Sequence, residues 1–225
     1  MTYLTFLEIA LPELWEGTLI TLQITLITLI IGFVIGFPAA LARIYGGKAL
    51  GAISTAYTEV LRGTPVLVQL FIIYYGLPQF GVTLPAFSAA YIALGLNSGA
   101  YQAEYFRGAI QAISSGQMLA AQSLGMNKLK AIIHIIIPQA FRLALPAWAN
   151  EVVSMVKVTS IVYLTAVPDL MTKAKMLSSK YFNPIETYLT AAVFYLVIIG
   201  ILTVVLSYIE KTTRIPGLEM EAEAR

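Results

Sequence analysis

Gly116-Gln117-Met118-Leu119-Ala120-Ala121-Gln122-Ser123-Leu124-Gly125, continuing through Met126 to Pro138, forms a polar island between two long apolar segments. An island of this length, with helix-forming residues and its own glycine punctuation, is built to touch something outside a bilayer. The surrounding chain makes the bilayer plain. Of the 225 residues, 58% are hydrophobic and only 12% are charged, with a mean hydropathy of +0.79. Soluble domains carry about twice that charged fraction. The runs 17–42, 63–103 and 187–209 contain no charge at all, and a helix needs about 20 apolar residues to cross the hydrocarbon core. The chain reads as an all-α integral membrane protein.

Composition closes off several other chemistries. There is no cysteine, so neither disulfides nor thiol chemistry enters, and His134 is the single histidine, which cannot make a metal site alone. A formal net charge of +2 points to no particular partner, and no nucleic acid is expected. No Lys or Arg precedes Arg43, so the basic segment of a cleavable signal is missing. The first apolar helix is expected to stay in the mature protein.

Five spans follow from the apolar runs and their punctuation: about 14–44, 54–75, 85–113, 141–167 and 184–209, in one domain covering 1–225. Leu77-Pro78-Gln79-Phe80-Gly81 makes a turn before Pro85 opens the third span, and Asn183-Pro184 supplies a cap and first-turn proline for the fifth. A sixth span over 131–137 is rejected as too short. An odd count puts the termini on opposite sides. One side then holds Arg43, Lys48, Arg107, Lys128, Lys130, Arg142, Lys211, Arg214 and Arg225. The other holds Lys173, Lys175 and Lys180, with Glu8, Glu13 and Glu16 in its N-terminal tail. The positive-inside rule makes the first side cytoplasmic. The expected location is the cell (plasma or inner) membrane, with the N-terminus outside and the C-terminus in the cytosol. The tail 219–225 is expected to be a frayed charged end. Gly32/Gly36 and Gly95/Gly99 are spaced for close helix approach.

The island, residues 114–140, therefore lies in the cytosol. Residues 118–124 favour a helix, and Ala120-Ala121 leave it a face without bulk that can sit deep in a groove of another protein. Gly125 permits a left-handed turn. After Met126, Asn127 can cap a second short helix, which Pro138 closes. Two short helices at an angle make a rigid projection suited to transmitting force. A connecting interfacial hairpin is the plainer alternative.

Spacing sharpens the reading. From Ala120-Ala121, Gly125 follows after three residues, and Ile135-Ile136-Ile137-Pro138 after nine more. This resembles the signature loop of the membrane subunits of ATP-binding cassette importers: Glu-Ala-Ala, three residues, Gly, nine residues, Ile, any residue, Leu-Pro. Leu119 stands in place of the Glu, and Ile137 in place of the Leu. Arg62-Gly63-Thr64-Pro65-Val66-Leu67-Val68-Gln69-Leu70 is similar to the second-span signature of the polar amino-acid branch. So are 96–104, Arg107-Gly108-Ala109-Ile110, Pro138-Gln139-Ala140, Pro146, Asn150-Glu151 and 157–160. The resemblance covers roughly residues 14–210.

It implies a type I ABC importer permease fold: five transmembrane helices with a cytoplasmic coupling-helix loop. In this family the loop docks into a separate ATPase subunit, so Leu119, Ala120, Ala121, Gly125, Met126 and Asn127 become the coupling residues. The other implied partners are a second permease subunit (a copy or a paralogue), an extracytoplasmic solute-binding protein and a polar amino acid. No cofactor is expected in this chain, since ATP would be bound by the partner. Leu119 implies an apolar contact or a specialised partner in place of an ion pair.

Ionisable groups inside a membrane are costly and need partners. Glu59 with Arg62, and Glu104 with Arg107, are spaced to pair along their own helices, either as structural pairs or as a gate. Lys157 falls near the middle of the fourth span with no acid within one turn, and must face a cavity, a partner helix or a dimer interface. Gln69 and Asn97-Ser98 fall near mid-bilayer. They serve either as interhelical hydrogen bonds or, with Lys157, Thr159 and Ser160, as a solute pathway in which Lys157 meets an amino acid's carboxylate. Relatives commonly carry an acid after the lysine. Val158 stands there instead, which argues against a dedicated arginine or lysine importer.

The alternative function is a self-sufficient secondary transporter or channel, although no internal repeat supports it. An enzyme is not expected: the chain has no HExxH, no GxSxG and no GK[ST] loop.

Overall fold

A computed structural model describes residues 3–213. Arg214, Arg225 and the tail 219–225, assigned above to the cytosolic side, lie outside the described residues. Within them the chain is helical, with no strand. Helix α1 (Tyr3–Tyr45) is followed by α2 (Gly47–Gly63), α3 (Val66–Phe71), α4 (Ala86–Ala112), α5 (Ser115–Ser123), α6 (Lys128–Ala131), α7 (Ile137–Val158), α8 (Leu170–Tyr181) and α9 (Pro184–Thr213).

Three stretches are each long and apolar enough to cross a membrane: Thr5–Tyr45, Lys128–Thr165 and Pro184–Thr213. Helix α4 has 27 residues, about 40 Å at 1.5 Å per residue. Its length suffices, but Asn97, Ser98, Gln102, Glu104 and Arg107 dilute its hydropathy. Those polar groups are tolerable because α4 is central, with α1, α2, α3 and α7 packed around it.

The α1–α4 seam is the tightest in the molecule. A Cβ at Gly36 would lie 2.5 Å from the Gly99 carbonyl oxygen, and one at Gly95 would lie 2.6 Å from Ile31 Cγ2. The small-residue spacing read from the sequence thus brings two backbones together. Gly36→Val is expected to force the helices apart and lower stability by about 1–3 kcal/mol. A chemical-denaturation midpoint for the detergent-solubilised protein measures this, and an unchanged midpoint would show that the seam can open without cost.

Two expectations need correction, the unbroken second span and the closure at Pro138. The second span is not one helix: α2 and the segment from Val66 to Phe80 meet at 101°. Pro65 has no N–H for the ladder and drives Thr64 to extended backbone, at φ −117°, ψ 143°. The first helix begins at Tyr3 and contains the expected span 14–44. Pro138 does not close a short helix. The helix runs through it: a π turn over Ile132–Ile136 joins α6 to α7 without a break, and a local widening of this kind accommodates an interior proline that lacks an N–H. Lys157 lies in the last turn of α7, just before a 3-10 segment, Thr159–Thr165.

Helix α8 was not anticipated. Asp169 caps it, its Oδ1 accepting from the Thr172 N–H at 2.9 Å. The signal was present as an acidic residue ahead of an amphipathic stretch. Two non-glycine residues in the left-handed region bracket this helix, Ala166 (φ 59°) and Phe182 (φ 54°). Lys173 ties α8 to α1 through Glu13 at 2.6 Å and Glu16 at 3.0 Å. Its hydrogen bond to Glu13 holds the ammonium above the usual lysine range. At the start of α9, the Thr187 hydroxyl reaches the Asn183 side chain at 3.1 Å.

Candidate functional site

The elbow at Thr64-Pro65 opens a cavity of about 640 Å³ between α2, α4 and α7. Arg62, Thr64, Asn97, Tyr101, Tyr105 and Glu151 are among its lining residues. Breaking a helix in an apolar setting leaves carbonyls without donors, and these must be satisfied locally. Pro65 cannot serve the Leu61 carbonyl one turn back. The side-chain amides of Gln69 and Asn97 do so, at 2.8 and 3.0 Å. Gln69 Nε2 also donates to the Thr64 carbonyl at 3.1 Å and the Thr64 hydroxyl at 2.9 Å, and Asn97 Nδ2 donates to Gln69 Oε1 at 3.3 Å. Of the two roles open to Gln69 and Asn97, interhelical hydrogen bonding is the one their geometry displays. Asn97 borders the cavity as well.

Glu151 is the residue that sequence reasoning passed over. The sequence marks it only as part of the Asn150-Glu151 motif. Its side chain is buried, with Oε1 accepting from the Ser98 hydroxyl at 2.8 Å and Oε2 from the Tyr105 hydroxyl at 3.1 Å. Among the described residues no cation pairs with it. The available signal was an acidic residue in an otherwise uncharged stretch, 143–156, of a span. Such a residue marks a functional site by default.

The other solute-pathway residues are placed differently. Ser98 holds Glu151 from behind and does not line the cavity. Lys157 is exposed, near the Ser154–Val158 edge of the cavity, and pairs with no acid among the described residues. Thr159 and Ser160 turn their hydroxyls back to the Val156 and Lys157 carbonyls, at 2.8 and 2.7 Å. Neither lines the cavity.

Beside the cavity, and sharing Arg62 with it, lies an ion cluster. Glu104 does pair with Arg107, at 2.7 Å to Nη2. It also accepts from Arg43 Nη1 and has Arg62 Nη1 at 3.8 Å. Arg43, read from the sequence only as a loop charge, therefore belongs to the cluster and donates to Thr58 as well, at 3.1 Å. Glu59 makes no ion pair with Arg62, contrary to expectation. Glu59 is exposed, while Arg62 leans over the Tyr101 ring, 5.2 Å from its centroid.

In the island, α5 ends in a turn that requires glycine. Gly125 has φ +84°, its N–H reaches the Gln122 carbonyl at 2.9 Å, and the Met126 N–H reaches Ala121 at 3.1 Å. That is the paired closure of a Schellman end. Asn127 caps α6 by accepting from the Lys130 N–H at 2.8 Å. Leu119 and Ala120 face outward, but Ala121 is buried in its own chain. Only one of the two alanines is therefore free to meet a partner. Leu119, Leu124 and Leu129 are 63%, 85% and 65% exposed.

Residues 32–215 match the family described as binding-protein-dependent transport system inner membrane components. The arginine transport system permease protein ArtQ of Bacillus subtilis (strain 168) is 37% identical over 202 residues, 89% of this chain and 92% of that protein. The L-cystine transport system permease protein TcyB of the same organism is 37% identical over 201 residues, 89% of this chain and 86% of that protein. A chain in the crystal structure of an amino acid ABC transporter with histidines superposes with a TM-score of 0.88 at 38% identity, covering 94% of this chain and 99% of that one. The chain belongs to the binding-protein-dependent transport system inner membrane components, and has the type I ABC permease fold.

Proposed function

We propose that the chain is the pathway-forming permease subunit of an ATP-driven importer for a polar amino acid. The observation that carries this reading is the cavity at the elbow, which sets an unpaired buried carboxylate, Glu151, near a loosely held guanidinium, Arg62. An α-amino acid offers the complementary pair. Its ammonium meets Glu151 and its carboxylate meets Arg62, which takes the role first assigned to Lys157. The ArtQ, TcyB and histidine-bound relatives support an amino-acid cargo.

Five crossings place the cavity within the membrane: α1, the α2–α3 elbow, α4, α7 and α9. The N-terminus lies outside and the C-terminus in the cytosol. The segment 114–140 is the coupling loop, docking Leu119 and Ala120 into a separate ATPase subunit that binds ATP. A second permease subunit and an extracytoplasmic solute-binding protein complete the assembly.

A broken helix with a cavity at the break is also a device of self-sufficient carriers, so one experiment must separate the two readings. Proteoliposomes carrying the permease with and without the ATPase subunit are assayed for amino-acid uptake. Uptake is expected only with the ATPase and internal ATP; undiminished uptake without them establishes the carrier instead. Gly125→Pro cannot adopt the required positive φ. It is expected to abolish ATPase co-purification while leaving membrane insertion intact, and retained co-purification would rule out docking at this turn. Lys157→Met is expected to leave assembly intact and reduce uptake if this exposed cation borders the solute path. Wild-type uptake would assign Lys157 to structure.

A further inference from the structure

Behind the cavity wall a chain of directed hydrogen bonds runs through residues that the solute does not reach. Trp148 Nε1 donates to Gln102 Oε1 at 3.1 Å. Gln102 Nε2 donates to the Leu29 carbonyl and to Ser98 Oγ, both at 3.1 Å. Ser98 Oγ donates to Glu151 Oε1 at 2.8 Å. Gln102 and Ser98 are fully buried. Neither they nor Trp148 lines the solute cavity, and Trp148 instead borders a separate apolar cavity of about 190 Å³ with Phe33, Phe106 and Phe141.

Directionality follows from the donor and acceptor inventory. Turning the Gln102 amide over would set its oxygen against the Leu29 carbonyl and its NH₂ against the indole N–H. Both contacts would be repulsive, so the amide is fixed from two ends. Its N–H then occupies an acceptor position on Ser98 Oγ. The single hydroxyl hydrogen of Ser98 is left for Glu151, rather than for the carbonyl one turn back that a helical serine otherwise uses. Each donor in the series points toward the same carboxylate, and such chains polarise one another.

We propose that Gln102 and Trp148 are positioning residues for Glu151: through Ser98 they fix the carboxylate in the orientation that receives the solute ammonium. This rests on the assignment of Glu151 to solute binding. It adds that two residues outside the cavity, on α4 and α7, set solute affinity.

The test is equilibrium binding of tritiated L-glutamine and L-arginine to the purified permease–ATPase complex, without binding protein. Gln102→Met keeps the volume and removes both polar ends. It is expected to weaken binding by about tenfold, the upper range for one buried hydrogen bond. In a Ser98→Ala background the same change is expected to add less than about twofold, because the path to Glu151 is already cut. An equal loss in both backgrounds is what a merely structural role gives, and overturns the proposal. Wild-type affinity in Gln102→Met does the same. If Gln102→Met does not assemble, Trp148→Phe decides. It removes only the N–H and part of the ring, an expected loss of about threefold, and unchanged binding overturns the proposal. Glu151→Gln with wild-type affinity, or a wild-type complex that binds neither amino acid, overturns the underlying site assignment. Weak binding in Glu151→Gln beside normal binding in both relay variants overturns the relay alone.

Discussion

Glu104→Leu is expected to prevent stable assembly of the permease. The Glu104 side chain is 13% exposed and is the one carboxylate shared by Arg43, Arg107 and Arg62. Its removal leaves three guanidiniums facing one another across α1, α2 and α4. Breaking a buried ion set by deleting one partner costs about 3–5 kcal/mol, because the remaining charges keep their desolvation penalty and lose their compensation; this part-buried cluster falls at the lower end of that range. That is a large share of a typical domain's stability. Arg62→Ala removes a group 39% exposed and 3.8 Å distant, and is expected to cost no more than about 1 kcal/mol. Thermal unfolding of both variants in detergent gives the comparison. Equal, small losses would show that Glu104 is not the hub of the cluster.

Glu151→Gln is expected to be the most damaging substitution for transport that leaves the fold intact. The amide is nearly the same size, and its oxygen can still accept from Ser98 while its NH₂ donates to the Tyr105 hydroxyl oxygen, so packing and hydrogen bonding survive. What disappears is the negative charge facing the cavity. A hydrogen bond to a charged group contributes about 1.5–3 kcal/mol, so solute affinity should fall about ten- to a hundredfold. ATPase activity without solute should be unchanged. Normal affinity in this variant would move the ammonium site elsewhere in the cavity.

The two substitutions also separate two carboxylates of different kinds. Glu104 is compensated beyond neutrality and binds helices together. Glu151 has no cation within the described chain and faces open space. A carboxylate with surplus cations holds structure, whereas one held only by hydroxyl donors stays available to an incoming cation.

Much of this was legible before any coordinates. Charge-free runs marked the apolar helices, Asn183-Pro184 marked the start of α9, and the spacing of Ala120, Gly125 and Asn127 marked the turn between α5 and α6. These signals are local: capping, left-handed backbone and proline each act within about a turn of their own position. The Glu104–Arg107 pair was legible for the same reason, being three residues apart on one helix. Glu59–Arg62 has that spacing too, yet Arg62 turns toward Glu104 and Tyr101. Spacing within a helix permits a pair, but competing partners on other helices choose it.

The sequence by itself determined a helical membrane protein with a glycine-closed turn after α5, since hydropathy and backbone preference are properties of short segments. Only the tertiary structure decided that Pro65 folds the second span into an elbow instead of a kink. It also decided that Gln69 and Asn97 satisfy the carbonyl Pro65 leaves open, and that Ala121 turns inward while Ala120 turns outward. Glu151 depends most on it. Its partners, Ser98 and Tyr105, stand 53 and 46 residues away in sequence, and a buried carboxylate acquires its chemistry from whichever groups long-range packing brings against it.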